Sequence, residues 1–242
     1  PLATLAGAAV VAQADSGDVL LVANNPTDII AGNAGASNGR FIYRSINDIL
    51  VEQIGSVSGI TANNGSGFVR LHSSTAGINQ NAGIVTPNLE LVAASGINLN
   101  NASNNVATIA GTTTVGDFSY SQPGALNIGT VNTANGLSAT GSLSIRALSL
   151  AIDKNLSGSL VTLGSDFGNI TQSTSNSTIT AGSLTVNSFR AVNLPAIAAG
   201  TLAVNAGGAI TIADIGASGL GTLNVDGLFT PAGAINITTT NR

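Results

Sequence analysis

Short apolar–polar–apolar triplets recur along this chain, and that alternation constrains its fold more than any other feature. Leu89-Glu90-Leu91, Ile97-Asn98-Leu99, Leu126-Asn127-Ile128 and Leu143-Ser144-Ile145 come first. Leu184-Thr185-Val186, Val192-Asn193-Leu194, Leu202-Ala203-Val204, Ile210-Thr211-Ile212, Leu223-Asn224-Val225 and Ile235-Asn236-Ile237 follow. A period of two sends one set of side chains inward and the other outward, which is the signature of a strand. Clusters of Gly, Asn, Ser and Ala, the chemistry of turns, separate the triplets. No stretch holds a helical period beyond two turns, so the chain reads as all-β.

Triplets begin at 89, 97, 106, 118 and 126, and again at 184, 192, 202 and 210. A step of about 8–12 residues also suits a sandwich or an antiparallel barrel. Three features select a solenoid instead. The strands are expected to be short, about three to five residues against the ~5–6 of ordinary sheets. The core positions take Leu, Ile and Val almost exclusively. Finally, the chain repeats itself. Gly77-Ile78-Asn79-Gln80, Ile84-Val85-Thr86, Leu89-Glu90-Leu91 and Ile97-Asn98-Leu99 are echoed about 95 residues later by Asn169-Ile170-Thr171-Gln172, Ile179-Thr180-Ala181, Leu184-Thr185-Val186 and Val192-Asn193-Leu194. At ~20–25 residues per turn, that repeat is about four turns and the chain roughly ten. Residues 1–242 then form one β-solenoid segment, with long repeats at about 77–167 and 168–242. At ~4.8 Å per rung the rod is about 50 Å long.

Composition supports this and removes other classes. Only 7% of residues are charged, yet 43% are hydrophobic, which excludes disorder driven by low hydrophobicity. Like charges stacked ~4.8 Å apart repel, so low charge suits a stacked coil. No run of about 20 apolar residues exists to make a transmembrane segment. A net charge of −4 removes the electrostatic basis for binding nucleic acid. Without Cys there is no disulfide framework and no thiolate metal site.

The strings Gly77-Ile78-Asn79-Gln80, Leu89-Glu90-Leu91-Val92-Ala93-Ala94-Ser95-Gly96-Ile97-Asn98-Leu99, Ile170-Thr171-Gln172 and Ile179-Thr180-Ala181-Gly182-Ser183-Leu184-Thr185-Val186 resemble filamentous-haemagglutinin-type repeats. So does the stretch from Phe41 to Val51. The resemblance covers most of the chain from about residue 18. It implies a right-handed parallel β-helix, the shaft of a large secreted exoprotein or adhesin of a Gram-negative bacterium. That family's Asn-Pro-Asn-Gly type motif is missing; Asn25-Pro26-Thr27 is the nearest string. The chain is therefore expected to be an internal or trimmed segment of a longer protein. Residues 1–17 read either as a first turn or end cap of the coil or as a signal remnant, since Ala12-Gln13-Ala14 has the form of a signal-peptidase site.

Candidates for chemistry are few. His72 is the only histidine, so any Ser–His–Asp triad would have to use it. It reads as a surface residue at a strand end. Asp15 and Asp18 flank Ser16-Gly17 and read as a turn before the strand at 19–22, with Ca²⁺ ligation the other reading. Asp117, Asp153, Asp166, Asp214 and Asp226 are spread singly, whereas polysaccharide-cleaving β-helices need clustered carboxylates with Lys or Arg. Gly32-Asn33-Ala34-Gly35 and Gly216-Ala217-Ser218-Gly219-Leu220-Gly221 lack the phosphate-loop pattern and read as turn glycines. Asn64-Gly65-Ser66 and Asn236-Ile237-Thr238 match the glycosylation acceptor by composition alone. Phe41, Tyr43, Phe68, Phe118 and Tyr120 fall at strand positions, and Phe167, Phe189 and Phe229 near turns. In Phe118-Ser119-Tyr120 the alternation points both rings inward. No catalytic, cofactor-binding or metal-ligating residue is assigned.

The expected function is a non-catalytic structural shaft of a cell-surface adhesin or extracellular filament, partnered by other regions of a longer chain or by identical copies end to end. The alternative is a glycan- or ice-binding solenoid. Host or matrix glycans would be its partners, or Thr178, Thr180, Thr185 and Thr211 would form ranks that order water. A polysaccharide-active enzyme is the third class considered.

Overall fold

Alternation with a fixed rung spacing turns the triplets into columns. In the computed structural model, which describes residues 7–35, 37–62, 65–173, 177–216 and 224–239, the chain coils as a parallel β-solenoid of about ten turns. One inward column runs Ile49, Ile78, Ile97, Phe118, Leu143, Val161, Leu184 and Leu202 in parallel register. Each of these is at most 1% exposed. Burying such a side chain contributes about 1.5–3 kcal/mol, so the stacked interior carries the stability. The neighbouring outward column is polar: Asn79, Asn98, Ser119, Ser144, Thr162 and Thr185.

Each coil has three sides, and the sides change role part-way along. Before residue 122 the first side is short, as in Ile49–Val51, Ile78–Gln80, Ile97–Leu99 and Phe118–Ser121. A short second side stacks Ile84 on Ile60, then Val85 beside Asn105 and Thr86 beside Val106. The third side is long and stacks Tyr43, Leu71 and Leu91. After residue 122 the long strand Ser142–Ala147 lies on the first side, directly above Phe118–Ser121. The third side divides instead: Ile109 continues into Ile128 and Ile152, and Gly111 into Leu137 and Leu156.

The second side ends at a side chain. Gln122, 4% exposed, receives the Val106 amide on Oε1 (2.9 Å) and donates Nε2 to the Val106 carbonyl (2.9 Å) and the Ala125 carbonyl (2.7 Å). Its amide thus substitutes for a backbone rung, and the Tyr120 hydroxyl donates to the same Oε1 (2.8 Å). Other glutamines after short strands act alike. Gln172 bonds Ser177 and Ala196 through its amide, and Gln80 exchanges amide bonds with buried Asn104. The Gln of the Ile-x-Gln strings is therefore a corner plug that satisfies backbone groups which would otherwise be buried unpaired.

Long strands end the same way before and after residue 122. Hydroxyls of Thr113, Ser165 and Ser188 each donate to the carbonyl three residues on, at 3.2, 2.7 and 3.3 Å. This fixes the turn into the short strand.

Two hairpins leave the coil. Gln53–Ile54 pairs antiparallel with Val57–Ser58, and Thr130–Val131 with Ala134–Asn135. Their turns hold Gly55 and Asn132 at positive φ, and both hairpins rejoin the coil through a glycine, Gly59 (φ +69°) and Gly136 (φ +78°). A Cβ there would run into the Gly83 and Asn155 carbonyls respectively. In each case the rejoining carbonyl accepts the amide of a glycine on the coil beneath, Gly32 or Gly111 (both 2.9 Å). The two straps are one motif used twice, 77 residues apart from Gly59 to Gly136.

Three expectations change in detail. Strands reach ten residues at Ile179–Ser188 and fifteen at Val192–Ala206, because adjoining sides bend without breaking their pairing. The long repeat is four turns plus one side: Ile78 lies four rungs below Val161, and Ile170 begins the next side. Gly32 is not a turn residue. It is buried within Ile29–Ala34, where a Cβ would meet the Ala12 carbonyl and the Phe41 ring. Within 1–17, Ala9–Ala14 is a first rung paired with Ile29–Ala34. Residues 1–6, Asn64, 217–221 and Leu223 lie outside the described residues.

Candidate functional site

The outward face of the third side concentrates charge. Arg40, Arg44, Arg70 and His72 sit on the adjacent strands Arg40–Ser45 and Phe68–Ser73, with Arg44 beside His72 and Arg70 beside Glu90. Asp18 accepts the Arg40 backbone amide (2.8 Å) and Nε (2.8 Å). The side-chain bond from Arg40 holds the Asp18 carboxyl below its usual range. Asp18 thus anchors the turn expected before Val19.

Glu90 is 1% exposed because the 130–135 strap covers it. Asn132 Nδ2 (2.7 Å) and Thr133 Oγ1 (2.9 Å) donate to its two oxygens, and Arg70 Nε lies 3.4 Å away. His72 is half-buried, and burial, then Arg44 and Arg70, push its imidazole below the ordinary value near 6.5. Its chain neighbour Ser73 faces inward and donates to the Asn47 carbonyl (2.6 Å). Alternation therefore turns this serine away from the histidine.

The acids fall on separate rungs. Asp117 accepts the Ser142 amide (2.7 Å), Asp166 pairs with Arg146 (2.8 Å), and buried Asp214 accepts the Gly216 amide (3.2 Å). Glu52 accepts Asn81 Nδ2 (2.5 Å) beside the first strap, which holds its carboxyl below the usual range. Among the described residues, no three His, Asp or Glu side chains gather as a metal-binding group.

The threonines do not form ranks. Thr162 and Thr185 are neighbours, but Ser144 and Ala203 flank them. Thr180 lies between Ser157 and Ala198, and Asn193 separates Thr171 from Thr211.

Aromatics divide by position, with Phe68 half-buried on the outward side of its strand. Phe41, Tyr43, Phe118 and Tyr120 are all within 1% of complete burial, as the alternation requires. Phe167 and Phe189 are 63% and 56% exposed, and their ring centroids lie 5.5 Å apart at an interplanar angle of 47°. Beside them on the first side runs a shallow groove of about 430 Å³. Thr162 and Gly164 line it together with the Arg146–Asp166 ion pair, Asn187, Asn205 and Phe189. Asn187 and Asn205 are exposed register partners on consecutive rungs. Sequence reasoning noted both phenylalanines near turns but not their adjacency. The signal was available: each follows shortly after the buried serine that ends a long strand, in Ser165-Asp166-Phe167 and Ser188-Phe189.

No family model, curated protein or solved structure matches this chain. No helix among the described residues is long and apolar enough to cross a membrane.

Proposed function

We propose that this chain is a structural shaft, a non-catalytic spacer within a secreted or cell-surface adhesin or extracellular filament of a Gram-negative bacterium. The observation that supports it is the unbroken inward column from Ile49 to Leu202, which makes the coil a continuous stiff element. Every rung is tied to the next by backbone pairing and by buried aliphatic contacts, so bending requires breaking both at once. Partners would be further coils of a longer chain or identical copies end to end. Val225 and Ile235, which continue the inward columns of Leu202 and Ile210, are 49% and 47% exposed and suit such contacts.

Two measurements test this. Dyes placed on Ser16 and on Asn236 should report a fixed end-to-end separation near the ~4.8 Å per rung expected of stacked strands, unchanged by salt. Antibodies raised against the chain should label intact source cells or their medium. A broad, salt-dependent distance distribution, or antigen confined to the cell interior, would sink the reading.

A further inference from the structure

We propose that the groove beside Phe167 and Phe189 is a binding site for an uncharged oligosaccharide, carried on the outside of the shaft. This adds to the shaft reading and stands or falls separately from it.

Three features carry the inference. First, the two exposed rings present an apolar surface beside a polar trough, matching the mixed character of a pyranose, whose C–H face packs on an aromatic ring while its hydroxyls point sideways. Alternation buries Phe41, Tyr43, Phe118 and Tyr120, whereas two consecutive turns place Phe167 and Phe189 outside and against each other. Second, Asn187 and Asn205 stand one rung above the other along the groove, each offering an amide donor and acceptor to vicinal hydroxyls. Third, the trough is open where Gly164 lies between Arg146 and Asn187 on successive rungs. A Cβ at Gly164 would sit 3.3 Å from Arg146 Cγ, so the glycine leaves room for the arginine stem to lie flat along the floor.

Charge selects the ligand class. Arg146 and Asp166 neutralise each other within the groove at 2.8 Å, and the chain as a whole carries −4. A polyanionic sugar would meet no excess positive charge among the lining residues, and Arg190 beside the ring pair has its Nε committed to the Phe167 carbonyl (3.1 Å). A neutral chain of sugars meets donors and acceptors of both kinds.

The test is a microarray of neutral and acidic oligosaccharides, followed by titration calorimetry with the neutral hexasaccharide that gives the strongest signal. Neutral sugars should bind and uronic-acid or sulfated sugars should not. Phe189→Ala should weaken binding by about tenfold or more, equivalent to about 1.4 kcal/mol. Asn187→Ala with Asn205→Ala should weaken it several-fold. Phe68→Ala, an outward ring on the other half, should leave it unchanged. All these side chains are at least partly exposed, so circular dichroism should show each variant folded.

The proposal is overturned by no binding of any sugar, by preferential binding of acidic sugars, or by binding that survives Phe189→Ala. It is also overturned if the wild type binds no sugar but self-associates in sedimentation and Phe167→Ala abolishes that association. In that case the rings are a contact between copies.

Discussion

The coils before and after residue 122 use the same strand–turn–strand unit but mount it on different sides of the triangle. Before it, long strands such as Phe68–Ser73 occupy the third side, phenyl and phenol rings fill the core, and two straps begin or fold back over the coils. Beyond it, long strands such as Ile179–Ser188 reach the first side, the interior is aliphatic, and the rings of Phe167 and Phe189 stand outside. The hinge between the two arrangements is one glutamine side chain completing the ladder over Val106. A solenoid can therefore rotate its cross-section by one side without interrupting its inward columns, because parallel pairing asks only for a strand of matching alternation above and below.

The straps offer the hardest way to break this comparison. Gly59→Ala and Gly136→Ala combine positive φ with a backbone collision, and each should cost about 4 kcal/mol in denaturant unfolding. Gly55→Ala, at φ +61° with open space around it, should cost about 1 kcal/mol.

Next comes the hinge itself. Gln122→Ala leaves the Val106 amide and carbonyl unpaired and should cost about 3 kcal/mol, with hydrogen exchange rising first at Val106. If exchange rises equally in the coils beyond residue 142, the two halves are one cooperative unit and the boundary carries no energetic meaning.

Base titration separates the halves by spectroscopy, because both tyrosines lie before residue 122. Burial first, then the nearby Asp28 charge, pushes the Tyr43 phenol up to about 12, and burial raises Tyr120 as well. A raised folded value means stability is intact below the ordinary value of 10 and is lost as pH climbs through the folded value. Tyrosinate absorbance should therefore stay low just above pH 10 and then rise together with loss of β circular dichroism. Absorbance rising at pH 10 with structure intact would contradict burial. A smaller change, Tyr120→Phe, removes the bond to Gln122 and should cost about 1 kcal/mol.

His72 gives the smallest effect. Its lowered folded value means its contribution is present above 6.5 and is lost as pH falls through that lower value. Because His72 is half-exposed, the decline should be only a few tenths of a kcal/mol after allowance for solvent screening, and His72→Asn should flatten it. A steep loss in the same window that persists in His72→Asn would assign it to other groups.

Much of this was legible in the chain itself. The period-two triplets, the lack of charge and the echo of Ile-Asn-Gln in Ile-Thr-Gln determined an all-β stacked coil with Phe118 and Tyr120 inside, because alternation alone decides which face a side chain takes. The strap motif is also written in the sequence, in Gln53–Thr61 and Thr130–Ser138, but the similarity is spread over small residues and carries no long apolar alternation to align. What only the tertiary structure decided is which distant residues share a rung. That depends on the number of residues spent in each corner and strap, 18 from Leu143 to Val161 but 29 from Ile49 to Ile78. Local alternation is blind to that count, so Glu90 under its strap, Gln122 over Val106 and the Phe167–Phe189 pair emerge only once the coils are stacked.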